Sequence, residues 1–234
     1  MQDWSFKLLG RVFMFAIANW SLIGCSSTTL SYKDTLVLAL FKGEDVERTL
    51  TEIQQLKIPG LYVRKNDNAR ALLSLRYSEA LVQKWVSADG ALIVVQHGRL
   101  VKLLGFKEQQ MQGQIVLQQD WLTKSISLIH QGDKSHIISD WAAVKHQGVE
   151  SRIEVIAIVN EELSYFDHTI ESVRVDEQVE FSSGEVITNT FWFSKNNGML
   201  LKSRQQPLPN WSVFELEYIS DIANNLSAIG TSNI

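Results

Sequence analysis

Cys25 is the one cysteine of the 234-residue chain, and it directly follows Leu22, Ile23 and Gly24. This spacing is that of the bacterial lipobox, in which the thiol is diacylated before the preceding peptide bond is cleaved. The small Gly24 suits a signal peptidase cleft, and cleavage frees the amine of Cys25 for a third acyl chain. The four residues therefore predict a covalent lipid on Cys25 and no other cofactor. The alternative is an ordinary buried thiol.

Residues 1–24 have the composition of a secretion signal. Lys7 and Arg11 precede an apolar run from Val12 to Ile23, which only Asn19 and Ser21 interrupt. This run is shorter than the roughly 20 apolar residues that span a membrane, so a cleaved signal is predicted rather than a permanent transmembrane helix.

The remaining chain divides into a short polar membrane tether at 25–34 and a single β-rich periplasmic domain at 35–234. Without Asp3, Lys7 and Arg11 of the signal, it holds 20 basic and 25 acidic side chains. This net negative charge disfavours nucleic acid as a partner. Because no second cysteine is present for a disulfide, the domain must be stabilised by its core.

No motif for a catalytic nucleophile, a zinc protease or a nucleotide-binding loop occurs, so the sequence predicts that the protein is not an enzyme. The nearest approach to a metal cluster is His130, Asp133, His136 and Asp140. Scattered histidines and acids on a polar loop are usually solvated, so no metal site is predicted.

An alternation of apolar and polar residues with a period of two starts at Leu61 and returns repeatedly to about residue 220. It predicts about ten strands. Asp89-Gly90 and His97-Gly98 are hairpin turn signals, and Asn196 to Gly198 form a third turn. The glutamine-rich region at 107–132 is less regular.

The clearest helical pattern lies at 43–57, with Val46, Leu50, Ile53 and Leu56 on one stripe and Pro59 beyond its end. The fold class predicted is mainly β, with an antiparallel barrel-like or strongly curved sheet body and one N-terminal amphipathic helix after a cleaved signal peptide.

Tryptophan is abundant in the mature chain, and it has two interpretations. Aromatic rings that stack on sugars would line a saccharide-binding groove, whereas the more common role of aromatic residues is to fill a core. The residues concerned are Trp85, Trp121, Trp141, Trp192 and Trp211.

Two segments, WVSADGALIVVQHGRLVKLLGF and NTFWFSKNNGMLLKSRQQPLPNW, resemble the YjbF/GfcB lipoproteins associated with group four capsule and exopolysaccharide production. The matching positions are tryptophans, turn residues and a few polar groups. In the first segment they are Trp85, Ser87, Asp89-Gly90 and Gly98-Arg99, and in the second Asn189, Trp192, Gly198, Ser203, Gln205 and Pro209.

The resemblance implies a β-rich, barrel-like lipoprotein at the periplasmic face of the outer membrane, with no known enzymatic activity. Ser26 fits this location, because lipoproteins of the inner membrane commonly carry aspartate after the lipidated cysteine. The implied function is a non-catalytic accessory role in capsule or exopolysaccharide assembly or export, with an outer-membrane polysaccharide export protein as the partner.

Two alternatives remain open. One is a periplasmic polysaccharide-binding module, for which Trp85, Arg99, Trp192 and Arg204 are the candidate contacts with polysaccharide or a partner. The other is a lipid or lipoprotein carrier with an apolar half-barrel cavity.

The lipid on Cys25 is directly testable. We expect Cys25→Ala to leave the protein soluble or unprocessed, because two or more acyl chains provide the stable membrane attachment. Cell fractionation followed by a salt wash of the membranes measures this. Retention of the Cys25→Ala protein in the washed membranes would contradict the prediction.

Overall fold

The computed structural model describes residues 44–106, 111–116, 120–141 and 148–231. The predicted signal, the lipobox residues Leu22 to Cys25 and the tether lie outside these ranges. The domain boundaries proposed at 24 and 34 therefore stay predictions.

Twelve antiparallel strands form a closed barrel in the described part of the chain. Each strand pairs with the next in sequence, and β12 closes the barrel by pairing with β1. The strands are β1 (Gly60–Lys65), β2 (Ala71–Glu79), β3 (Val82–Val86), β4 (Leu92–Gln96), β5 (Arg99–Leu104), β6 (Met111–Val116), β7 (Lys134–Trp141), β8 (Val149–Tyr165), β9 (His168–Phe181), β10 (Val186–Ser194), β11 (Leu200–Gln205) and β12 (Phe214–Glu217).

The mainly β, barrel-like architecture is thus confirmed, and the turn signals explain its tight connections. Gly98 adopts a φ of +86°, which favours glycine, in the turn from β4 to β5. A Cβ atom there would also approach the end of the Leu200 side chain, which would have to move. The backbone conformation is therefore the main reason for glycine at position 98.

The helices differ from the prediction. The helix expected over 43–57 is shorter in the structure, where α1 spans Leu50–Gln54. A capping box between Thr49 and Glu52 lies at its N-terminus. Residues 44–49 lie outside the helix, and there the Val46 N–H donates to the Arg70 carbonyl instead of to a helical partner.

A second helix, α2 (Ile219–Thr231), follows β12 where the sequence pattern indicated the end of a strand. Two short 3-10 helices, Trp121–Thr123 and Ile126–Leu128, lie in the connection between β6 and β7. None of the helices in the described ranges is long and apolar enough to cross a membrane.

Apolar side chains at alternate strand positions fill the barrel interior. Aromatic rings meet edge to face there, with 5.3 Å between the ring centroids of Phe106 and Phe214 and between those of Trp121 and Phe191. Such contacts add about 0.5–1.5 kcal/mol each beyond burial. The interior is therefore a packed core.

An outer layer covers one side of the barrel. Ile53 of α1 and Ile219 and Ala223 of α2 pack with Tyr62 of β1, and Phe166 at the tip of the β8–β9 hairpin joins this cluster. The hairpin tip is thus tied to both helices.

Candidate functional site

The barrel interior holds a buried cluster of three charged side chains, Arg99, Asp120 and Glu177, exposed by 3%, 4% and 0%. The Arg99 guanidinium donates to Glu177 from Nη1 at 2.7 Å and from Nη2 at 2.8 Å. It also donates to Asp120 from Nη2 at 2.9 Å and from Nε. One cation therefore serves two carboxylates through paired hydrogen bonds, the geometry that guanidinium favours.

Arg99 supplies one positive charge for two carboxylates, and neutral hydrogen-bond donors stabilise the second negative charge, on Glu177. Trp121 Nε1 donates to Glu177 Oε2 at 2.7 Å, and Asn189 Nδ2 donates to Glu177 Oε1 at 2.9 Å. The side-chain oxygen Oδ1 of Asn189 in turn accepts from the backbone N–H of Gln206 at 2.8 Å. Buried ions require such partners, since an uncompensated charge in a protein interior is costly.

Three separate elements position the three charged side chains. Arg99 begins β5 directly after the His97-Gly98 turn, and Glu177 lies in β9 between the buried Val175 and Val179. Asp120 caps the first 3-10 helix, where its carboxylate accepts from the N–H of Leu122.

A second interior contact crosses the barrel from β11 to β5, strands that are not neighbours in the sheet. Gln205 accepts from the backbone N–H of Leu100 at 2.9 Å and donates to the Gly98 carbonyl at 2.9 Å. Gln205 also donates to Ser203. The interior polar groups therefore hold opposite walls of the barrel together.

Burial raises the pKa of Asp120, but the Arg99 guanidinium more than offsets this, so the pKa lies below its ordinary value. A carboxyl of this kind stabilises the fold above its unfolded pKa of about 3.9. That contribution is lost as the pH falls through the lower folded pKa. For Arg99, burial lowers the pKa, but Asp120 and Glu177 raise it above the ordinary value, so the side chain stays charged.

The space beside the network is small. The interior cavity next to Arg99, Asn189 and Gln205 has a volume of about 20 Å³, enough for about one water molecule. An acyl chain or a sugar needs several hundred Å³. Among the described residues, the packed interior beside the network does not favour the alternative prediction of a lipid carrier with an apolar half-barrel cavity.

Two of the four candidate contact residues lie inside the barrel. Trp85 is 2% exposed and meets Tyr218 edge to face, and Arg99 is held by the two carboxylates. Neither side chain can reach a polysaccharide or partner in this structure, which corrects the prediction for these two positions.

The other two candidates lie on the outer face of neighbouring strands. Trp192 in β10 is half-buried, and Lys202 Nζ lies 5.6 Å from its ring centroid. Arg204 in β11 is exposed and pairs in register with Thr190. The structure therefore places Trp192 and Arg204 on one surface, apart from Trp85 and Arg99.

The sequence cluster of histidines and acids does not assemble. Asp133 lies 2.7 Å from Lys124 Nζ, His136 lies 3.5 Å from Glu150, and Asp140 accepts from the N–H of Gly148. Among the described residues, no group of three or more His, Cys, Asp or Glu side chains is placed to hold a metal ion.

Sequence reasoning missed the two buried carboxylates. Glu177 did carry a signal, because it occupies an inward position in the alternation that includes Val175, Val179 and Phe181. Asp120 carried none, since it lies in the irregular region between β6 and β7.

The network should dominate the response of stability to substitution. We expect Arg99→Met to reduce the free energy of unfolding by about 3–5 kcal/mol, because it leaves two buried carboxylates without their cation. Urea unfolding followed by tryptophan fluorescence measures this. Arg204→Met is the matched control, and its expected effect is within about 0.5 kcal/mol because Arg204 is exposed. Equal effects of the two substitutions would contradict the assigned role of Arg99.

Comparison with known proteins gives the family of this chain. Residues 33–219 match the family model described as "Group 4 capsule polysaccharide lipoprotein gfcB, YjbF". The chain is 26% identical over 205 residues to the uncharacterized lipoprotein GfcB of Escherichia coli (strain K12), covering 83% of this chain and 91% of that protein. It is 37% identical over 83 residues to the uncharacterized lipoprotein YjbF of the same strain, covering 36% of this chain and 39% of that protein.

A solved structure shares the fold. The crystal structure of the hypothetical lipoprotein YmcC from Escherichia coli (K12) superimposes with a TM-score of 0.66 at 21% identity, covering 83% of this chain and 96% of that one. Because the family model matches most of the chain, the protein belongs to the family of group 4 capsule polysaccharide lipoproteins that includes GfcB and YjbF.

Proposed function

We propose that this protein is an outer-membrane lipoprotein that acts as a non-catalytic accessory component in the assembly or export of capsule or exopolysaccharide. Membership of the capsule lipoprotein family supports the process. The lipobox spacing from Leu22 to Cys25 supports the attachment, and Ser26 supports the outer membrane, at its periplasmic face.

The observation that carries the accessory role is the closed interior network. Arg99, Asp120 and Glu177 satisfy one another, and the adjoining cavity has room for about one water molecule. The described barrel thus resembles a rigid scaffold rather than a container. Its interactions with other molecules would then occur on its outer surface.

The proposed anchor is the covalent lipid on Cys25. A diacylglyceryl group with an additional amide-linked chain exceeds the two acyl chains that stable attachment requires, at about 0.8 kcal/mol for each buried methylene. The anchor keeps the domain beside the membrane, where an outer-membrane export protein is accessible to it.

The proposed partner is an outer-membrane polysaccharide export protein. We expect the two proteins to be recovered together from detergent-solubilised membranes after mild crosslinking. Deletion of the lipoprotein should also lower the polysaccharide measured on the cell surface. Recovery of the lipoprotein alone, with surface polysaccharide unchanged by the deletion, would overturn the proposal.

A polysaccharide-binding module is the second candidate, and the outward position of Trp192 beside Lys202 favours it. A cation next to an aromatic ring on an outer face suits an acidic sugar, although Lys202 also pairs with Glu215 at 3.0 Å and with Glu217 at 3.4 Å. We expect a polyuronate such as alginate to change the tryptophan fluorescence, and Trp192→Ala to weaken this binding roughly tenfold.

Arg204→Ala should weaken the binding of alginate as well, and Arg76→Ala, an exposed arginine on β2, is the control. If alginate has no effect on the native protein, or if Trp192→Ala binds as tightly, the second candidate is excluded.

A further inference from the structure

The strand β8 is longer than the strand beside it. Its pairing with β7 ends at Glu154, opposite Lys134, and two backbone hydrogen bonds connect Val155 with Gly132 and Asp133. From Ala157 to Tyr165 the other edge of β8 pairs with β9, and Ile156 lies at a bulge in this pairing. On the side away from β9, this stretch has no backbone partner among the residues that the structure describes. We name the stretch from Ile156 to Tyr165 the free edge.

The free edge is long enough to pair with another strand. At roughly 3.3 Å per residue it extends for about 33 Å, and alternate residues direct their N–H and C=O groups away from β9. Unpaired edges of this kind are templates for strand addition by another chain.

The outer layer holds the free edge in place. The Tyr165 hydroxyl donates to Glu217 of β12 at 3.3 Å, and Phe166 packs in the clusters of both α1 and α2. Leu163 packs with Ile222 of α2. Because both the base and the tip of the hairpin are fixed, little ordering is needed when a strand pairs with it.

Apolar side chains on the free edge are exposed. The exposed fractions are 37% for Ile156, 38% for Ile158 and 42% for Val159. Proteins commonly protect such edges with lysine or proline, and the sequence of the free edge contains neither. An added strand would cover these three residues.

Carboxylates further along the free edge define the chemistry of its partner. Glu162 lies directly opposite Glu171 of β9, a like-charged pair that is unfavourable in an antiparallel sheet. Glu161 pairs with Arg174, and Lys195 approaches Glu171 only at 3.8 Å. A surface groove of about 200 Å³ lies among these side chains. The excess of negative charge favours a strand that carries lysine or arginine.

We propose that the free edge is the docking site for an extended, basic segment of the partner protein, which adds to β8 as a further antiparallel strand. This inference rests on the accessory role proposed above and identifies the surface that performs it. A second copy of the chain fits less well, because antiparallel pairing of two free edges brings the glutamates of both copies together.

Synthetic peptides test the site on the full-length, detergent-solubilised protein. The probe is a short amidated peptide in which lysine and valine alternate, and the control peptide alternates glutamate and valine. We expect the lysine peptide to slow hydrogen exchange of alternate amides between 156 and 165 about tenfold, and the glutamate peptide to have no effect. Absence of protection, or protection elsewhere on the barrel, would overturn the proposal.

Glu162→Lys reverses the charge of the edge and relieves its repulsion from Glu171, so it should fold. We expect it to abolish protection by the lysine peptide and to permit protection by the glutamate peptide. Glu154→Lys is the matched control, since it lies on the same strand where β7 already pairs. It removes an exposed ion pair with Lys134, which costs about 1 kcal/mol or less, and its response to the peptides should be that of the native protein. If Glu162→Lys and Glu154→Lys respond equally to the two peptides, the free edge is not the docking site.

Co-purification separates the two proposals. If the native protein recovers no export protein, the accessory role is contradicted. If the native protein and Glu162→Lys recover the export protein equally, only the free edge as its docking site is contradicted. If Glu162→Lys reduces the recovery about tenfold and Glu154→Lys leaves it unchanged, both proposals are supported. A dimer crosslinked edge to edge would show that a second copy is the occupant.

Discussion

The ion cluster of Arg99 with Asp120 and Glu177 is the constraint on which the rest of the barrel depends. Its three residues come from β5, β9 and the connection between β6 and β7, so the cluster forms only when these elements are correctly placed. A buried ion group is weak evidence for added stability, because desolvation offsets its Coulombic attraction. Its stronger effect is to disfavour other arrangements, in which a carboxylate would remain buried without the cation. We therefore infer that the cluster specifies how the barrel closes.

The cluster also occupies much of the barrel interior. Because its polar groups and the surrounding aromatic rings occupy the interior, little space remains for a ligand among the described residues. The outer surface has two different parts. Near β1 and β11 the helices α1 and α2 cover the sheet, whereas β8 keeps an edge that its neighbour β7 does not reach. The proposed interactions therefore concentrate on β8 and on the anchor at Cys25.

Local patterns predicted most of the strands, because the period of two and the Gly90 and Gly98 turns are properties of neighbouring residues. They did not predict β6, whose segment MQGQIV has glycine at position 113 and a bulge between Met111 and Gly113, both of which interrupt the alternation. They also placed Ile219 at the end of a strand, whereas it begins α2 and packs against α1. Here tertiary contacts override a short local pattern.

The site was harder to predict than the fold, because its contacts join distant parts of the chain. Arg99 and Glu177 are 78 residues apart, and Leu100 and Gln205 are 105 residues apart. Gly98-Arg99, Asn189 and Gln205 were recognised only as a pattern of turn residues and polar groups. The structure shows that they converge on one interior network. An arginine that seemed available for an acidic sugar is instead fully occupied by two carboxylates of its own chain.

The charges of the free edge fit a protein that is proposed to be concentrated at a membrane. An anchored domain meets other copies of itself at a high effective concentration, and exposed strands would then pair with one another. Glu162, which lies opposite the like-charged Glu171, would repel an identical edge, yet it leaves the backbone groups of β8 accessible to a basic strand. Lysine would protect the edge against self-pairing equally well, but it would repel a basic partner. With a basic strand as the proposed partner, the acidic residues would both oppose self-association and favour that partner.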